Sequence, residues 1–242
     1  MQQAEMIQQA LVLLVIFLAV FTQSFAGFGV ALIAMALLPG LIGLQLATPL
    51  VALIAETIEI FLLIRYRHAL NLAAIWPVTL ASLPGIPLGI WALTRVPEGI
   101  VLSILGVVIA GYALYALLNL HLPNLENRLW AYSIGLVAGM LGGAYNTSGP
   151  PVIVYGNCRR WPPTEFKSNL QAFFFVSSAF ILLGHFIAGT ITGAVFRQYV
   201  WSLPVLGLAI VGGTTLDHYL DPLTFRKIVL LLLFVMGVRL VF

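Results

Sequence analysis

About eight apolar runs, near residues 8–38, 46–65, 73–93, 98–119, 129–156, 169–189, 199–216 and 222–241, take up almost the whole chain and leave little for a soluble domain. A helix that crosses a bilayer needs about 20 mostly apolar residues, and the runs approach or exceed that length. Lipid offers no partner to a backbone N–H or carbonyl, so only helices and closed barrels can span it. Barrel strands alternate apolar and polar residues, whereas Ile228 to Met236 is apolar throughout. The 22 glycines and 13 prolines suit close helix packing and interrupted helices. The expected fold is all-α, a polytopic membrane protein.

Composition narrows the chemistry. Only 8% of the residues are charged, against about 25% in soluble domains. A formal charge of +3 is too small to imply a nucleic-acid partner and fits membrane topology or the attraction of an anionic solute. Cys158 is alone, so there is no internal disulfide and no thiolate cluster, and His68, His121, His185 and His218 show no metal-ligand spacing. Neither a metal nor a cofactor is implied. Met1 to Gln9 lacks a basic n-region, so residues 8–25 are read as the start of a retained helix rather than a cleaved signal.

The two halves carry similar features in matching places. An offset of 112 residues pairs Ala26, Gly27 and Pro39 with Ala138, Gly139 and Pro151; an offset of 125 pairs Ala47, Trp76 and Pro97 with Ala172, Trp201 and Pro222. The change of offset places about 13 inserted residues in the loop around Gly156 to Lys167. Two repeats of about four apolar segments follow: residues 1–120, a polar connector over 121–128, and residues 129–242. The first segment of each repeat is expected to be broken or re-entrant, at Ala26-Gly27-Phe28-Gly29 and in the stretch from Ala138 to Pro151. An odd number of crossings per half makes the repeats inverted; an even number makes them parallel. Unwound backbone at membrane depth survives only where it lines a cavity or a ligand, so paired breaks point to the binding site of a secondary transporter.

Gly142-Gly143-Ala144-Tyr145-Asn146-Thr147-Ser148-Gly149-Pro150-Pro151-Val152-Ile153-Val154-Tyr155, the Ala-Gly-x-Gly break and the duplicated plan resemble the TauE/SafE family of sulfite and organosulfonate exporters. The resemblance covers nearly the whole chain and is sharpest at Thr-Ser-Gly-Pro-Pro and at Phe166-Lys167-Ser168-Asn169. At Lys167 the family pattern is expected to carry arginine; lysine keeps the charge without the bidentate fork. The resemblance implies a multi-pass carrier of the inner (plasma) membrane, moving small sulfur-containing anions such as sulfite, thiosulfate or organosulfonates.

Thr147 and Ser148 suit a helix N-cap, and Pro150 and Pro151 suit the first turn that follows. A half-helix beginning there inside the membrane presents N–H groups and a positive dipole end, which is an anion site. The expected substrate-binding residues are Gly27, Phe28, Gly29, Asn146, Thr147, Ser148, Gly149, Asn169 and Gln171, with Gln23 and Ser24 supporting the first break. Close helix packing is the competing reading of the glycines. Glu56 and Glu59, three residues apart on one helical face, are the candidate proton-coupling acids, Glu56 first because it lies nearer the middle of its run. An ionised acid at the bilayer centre costs at least ~2.5 kcal/mol on insertion scales, and beside an anion it also repels the substrate. A proton removes both penalties. Lys167, beside Arg159 and Arg160, is the candidate anion-attracting residue. The partners are then a small anion, protons and the bilayer, with a homo-oligomer left open. The alternatives are a passive anion channel or uniporter, a non-transporting membrane subunit, or an intramembrane enzyme. The chain has no paired-histidine metal motif, no Gly-x-Ser-x-Gly elbow and no Walker loop.

Overall fold

A computed structural model describes residues 2–118, 124, 125, 127, 129–216 and 222–241. His121 and His218, and most of the expected connector, lie outside the described residues. Among the described residues every regular element is helical: α1 (Gln2–Ala26), α2 (Val30–Leu37), α3 (Pro39–Ile42), α4 (Leu44–Tyr66), a 3₁₀ turn (Arg67–Ala69), α5 (Leu72–Ser82), α6 (Gly85–Arg95), α7 (Glu98–Leu118), α8 (Leu129–Tyr145), α9 (Gly149–Cys158), α10 (Pro163–Ile187), α11 (Gly193–Leu216) and α12 (Pro222–Val241).

Six stretches of the described residues are long and apolar enough to cross a membrane: Glu5–Ala26, Leu44–Ala69, Leu72–Arg95, Glu98–Leu118, Pro163–Ile187 and Gly193–Thr215. The expected runs 8–38 and 129–156 do not stay whole; they divide into α1 with α2–α3 and α8 with α9. Large apolar side chains such as Ile64, Trp91, Phe186, Trp201 and Leu208 are exposed on the outside of the bundle. A contiguous apolar exterior of this kind fits lipid and not water.

Each divided run folds back on itself. The Gln8 side chain donates to the carbonyl of Leu41, while at the other end of the pair Val30 N–H donates to Gln23 Oε1 at 3.0 Å. Those two contacts make α1 and α2–α3 an antiparallel hairpin. In the second half the Arg159 guanidinium, just past α9, donates to the carbonyl of Leu125, just before α8 (2.8 Å). That contact brings the chain back to the end at which α8 began.

The most extensive packing runs between the halves. α1 packs on α11, α8 packs on α5 and α6, α4 packs on α10 and α7 packs on α12. Glycine sets the closest of these approaches. Gly135, Gly139 and Gly143 form one stripe of α8 that lies directly on the backbone of Val78, Ser82 and Ile86, with Gly85 and Gly89 opposing them. Within the expected stretch from Ala138 to Pro151, the glycines from Gly139 to Gly143 belong to the uninterrupted helix α8, where they permit close packing, and the break falls later, at 146–148. The offset of 112 residues consequently does not relate the two breaks, since the chain leaves helical geometry at 27–29 and at 146–148.

Candidate functional site

The two breaks use different chemistry for the same turn. At the first, Gly27 (φ 83°) and Gly29 (φ 121°) hold backbone conformations that L side chains rarely adopt. At the second, Asn146 (φ 56°) takes the left-handed conformation that asparagine tolerates better than most residues. Each tip is tied to a long helix of the other half. Gln171 Nε2, on α10, donates to the carbonyl of Gly27 at 2.6 Å, and Asn146 Nδ2 donates to the carbonyl of Thr48, on α4, at 2.7 Å.

Between the tips lies a small cavity of about 30 Å³. Phe28 and Gly29 line it with the first turn of α2, and Asn146, Thr147, Ser148 and Gly149 line it with the start of α9; Gln23, Ala55, Glu59, Phe174 and Ser178 complete much of the wall. Two helix N-termini, each the positive end of a dipole, thus face one small chamber. The first-turn N–H groups of a helix have no intrahelical acceptor. Gln23 Oε1 takes that of Val30, and the next two residues, Ala31 and Leu32, line the cavity.

Ser148 is the residue whose chemistry the sequence makes most unusual. It stands at the N-cap of α9, where a serine hydroxyl normally accepts from the second or third N–H of the helix. Those positions are Pro150 and Pro151, which have no N–H. No cap bond forms, and among the described residues the Ser148 hydroxyl bonds nothing in the protein. Thr147 is different, because its hydroxyl donates to the carbonyl of Tyr145 at 2.9 Å. Of the side chains at the second break, Asn146 is bonded to Thr48 and Thr147 to Tyr145, while among the described residues the Ser148 hydroxyl makes no bond to the protein. The hydroxyl of Ser178, across the cavity on α10, is likewise without a partner among the described residues.

The two acids are separated by the fold. Glu59 is 3% exposed and lines the cavity, whereas Glu56 is half-buried and does not. Gln23 Nε2 donates to Glu59 Oε1 at 3.3 Å, and Glu59 Oε2 is buried with no hydrogen-bond partner. Gln23, expected to support the broken backbone, therefore does so and also bridges Val30 to Glu59. Its amide fits between a carboxylate and a helix N-terminus because it carries both an N–H donor for the carboxyl and a carbonyl acceptor for the backbone N–H.

Four expected site residues, Gly27, Asn169, Gln171 and Lys167, do not line the cavity. Asn169 accepts from the Asn71 N–H at 2.9 Å and reaches Glu165 Oε1 at 3.4 Å, joining α10 to the start of α5. Gln171 is occupied by Gly27, although its Oε1 is buried without a partner. Lys167 places its Nζ 5.5 Å from the ring centroid of Tyr66, a cation–π distance. Ser177 lies 3.5 Å from Ser82, and His185 Nδ1 is 2.8 Å from the Thr190 hydroxyl. Among the described residues no group of three His, Cys, Asp or Glu side chains is arranged to hold a metal ion.

Two interrupted helices meet head to head at a small chamber inside an apolar helical bundle, an arrangement that fits a membrane-transport protein. Residues 12–240 match the family described as Sulfite exporter TauE/SafE, and the chain belongs to that family. Comparisons with curated proteins and with solved structures gave no match.

Proposed function

We propose that this protein is a secondary transporter that carries sulfite, or a closely related sulfur oxyanion, through the cavity between the two breaks and exports it across the inner membrane. The observation that carries this reading is the Ser148 hydroxyl, left without a backbone N–H to accept from by Pro150 and Pro151 and lining the same chamber as two helix N-termini. Sulfite oxygens accept hydrogen bonds from hydroxyls and N–H groups, and a positive helix end favours their charge.

The packing supports reading the halves as inverted repeats. Each half reads as a hairpin that returns to its starting side, followed by three helical passages: α4, α5–α6 and α7, then α10, α11 and, packed along α7, α12. An even passage followed by three crossings is odd, so the second half starts from the opposite side. The tips then enter the cavity from opposite faces of the membrane. Alternating access follows by releasing one tip from the opposing helix while the other stays tied, with Gln171–Gly27 and Asn146–Thr48 as the two ties.

Proton coupling is assigned to Glu59 rather than Glu56, because Glu59 alone of the two borders the chamber. Its ionised form repels an entering anion, and a proton on it removes the repulsion. In proteoliposomes, Glu59→Gln is expected to leave sulfite flux insensitive to an imposed pH gradient, while Glu56→Gln keeps the gradient dependence of the parent. Gradient-driven accumulation that persists in Glu59→Gln would remove Glu59 from the coupling step. Accumulation absent even in the parent would favour a passive channel.

The site itself is tested by sulfite binding to the purified protein in detergent, read as thermal stabilisation. Ser148→Ala is expected to weaken binding about tenfold, as loss of one hydrogen bond to a charged ligand does, with the melting temperature of the free protein little changed. Unaltered affinity would move the site elsewhere.

A further inference from the structure

On the outside of the bundle, α6 and α10 enclose a groove of about 370 Å³ that shares no residue with the chamber. Its floor is apolar and buried at Ile86 and Ile90, and it stays deep because a Cβ at Gly184 would collide with Ile90 Cδ1. Trp91 on one side, with Leu183 and Ile187 on the other, forms its exposed edges. Thr94 carries the one hydroxyl among the lining residues, and it donates back into its own helix, to the carbonyls of Ile90 (3.2 Å) and Trp91 (3.0 Å). Such a surface suits hydrocarbon and not water.

The groove also has a direction. It runs from Leu83 and Phe180 to Thr94 and Ala188, about 16 Å along α6 and about 12 Å along α10 at 1.5 Å per residue. The hydrocarbon half of one leaflet is about 15 Å. Both apolar spans that form the groove, Leu72–Arg95 and Pro163–Ile187, end at the Thr94–Ala188 rim, and Leu83 stands halfway along the first. The rim therefore lies at a membrane surface and the other end near the midplane. At the rim the protein offers a cation. Arg95 stands four residues after Trp91, so guanidinium and indole share one helical face. Arg95 is exposed, and neither its guanidinium nor the Trp91 indole N–H has a polar partner among the described residues. Glu98, the nearest acid in sequence, accepts from the Leu44 N–H at 3.2 Å. We propose that the groove binds one phospholipid with an anionic head, an acyl chain lying between α6 and α10 and the phosphate at Arg95 and Trp91. A guanidinium forks onto phosphate oxygens, and tryptophan is at home at the head-group level. The lipid bridges the halves: α6 is seated on α8 by the glycine seam, and α10 carries Ser178 on the chamber wall. Its binding is independent of what the chamber carries.

The delipidated full chain is titrated in detergent with phosphatidylglycerol or phosphatidylcholine of identical acyl chains, and bound lipid is counted by native mass spectrometry. The first phosphatidylglycerol is expected to bind about fivefold more tightly than phosphatidylcholine, the order that one basic residue near the head group supplies. Arg95→Gln is expected to erase that preference, whereas Arg197→Gln, at another exposed arginine, keeps it. Leu183→Trp fills the groove and is expected to weaken both lipids about tenfold. Equal binding of the two lipids by the parent, or a preference that survives Arg95→Gln, overturns the proposal. Undiminished binding in Leu183→Trp also overturns it, by moving the lipid off the groove. A dimer in the parent that Leu183→Trp splits, with no lipid retained by either, would assign the groove to a second copy instead. If Leu183→Trp does not fold, the comparison of Arg95→Gln with Arg197→Gln decides.

Discussion

Gly139→Leu is expected to abolish accumulation of folded protein, and Gly139→Ala to lower its thermal stability sharply. Even a single Cβ at this position would lie 2.7 Å from the carbonyl carbon and 2.9 Å from Cα of Ser82, so it meets backbone that cannot rotate away. The same conflict recurs one turn on either side. A Cβ on Gly143 would stand 2.9 Å from the Ile86 carbonyl carbon, and one on Gly135 would stand 2.7 Å from Ala81 Cβ. Relief requires α8 to move off α5 and α6, which opens the contact along its length. Overpacking a core by a few methylenes costs about 1–3 kcal/mol when side chains can adjust. Here they cannot, so leucine is expected to cost at least ~3 kcal/mol, read as loss of the monodisperse peak in detergent chromatography. Gly111→Ala is the control: it lies in helix α7 with open space at its Cβ position, and alanine is the better helix former by about 1 kcal/mol. A Gly139→Ala protein as stable as Gly111→Ala would show that α8 does not sit on α5 as closely as described.

That seam also marks the limit of what the sequence discloses. The apolar runs identify the membrane class and the helical fold, because lipid leaves the backbone so few solutions. The glycines from Gly139 to Gly143 and those from Gly27 to Gly29 look alike in one dimension, yet the first set packs within a helix and the second breaks one. Asn146-Thr147-Ser148-Gly149-Pro150-Pro151 was the more reliable signal, since two consecutive prolines suit a helix start and not its interior. The freedom of the Ser148 hydroxyl could have been read from the same six residues: a cap with prolines at its second and third positions has nothing to bond.

What sequence spacing could not settle depends on distant partners. Glu56 and Glu59 share a helical face, but Gln23, thirty-six residues from Glu59, fixes the latter on the cavity wall. Asn169 and Gln171 look equally suited to a ligand until their partners Asn71 and Gly27 are brought in from 98 and 144 residues away. Thr147 is a similar case on a shorter scale, its hydroxyl being spent on a carbonyl two residues back.

Asn146 combines two roles that substitutions can separate, and the comparison bears on how the transporter moves. Its positive φ shapes the second break, and its amide ties that break to Thr48 on the opposing helix. Asn146→Gly keeps the backbone conformation and removes the tie; Asn146→Ala removes the tie and adds strain of about 1–2 kcal/mol in the left-handed region. Both variants are expected to fold. If the tie holds one face of the cavity shut, Asn146→Gly already lowers coupled sulfite accumulation about tenfold or more, because losing a bond of 1–2 kcal/mol changes the open fraction by that order. In Asn146→Gly a cysteine placed at Ser178 is then expected to react with a membrane-impermeant thiol reagent from one face of the membrane, with Cys158 replaced by alanine to silence the native thiol. Unchanged labelling from either face, together with normal accumulation in Asn146→Gly, would reduce Asn146 to a backbone turn. Labelling that rises equally from both faces would mean that the tie stabilises the cavity as a whole and gates neither entrance.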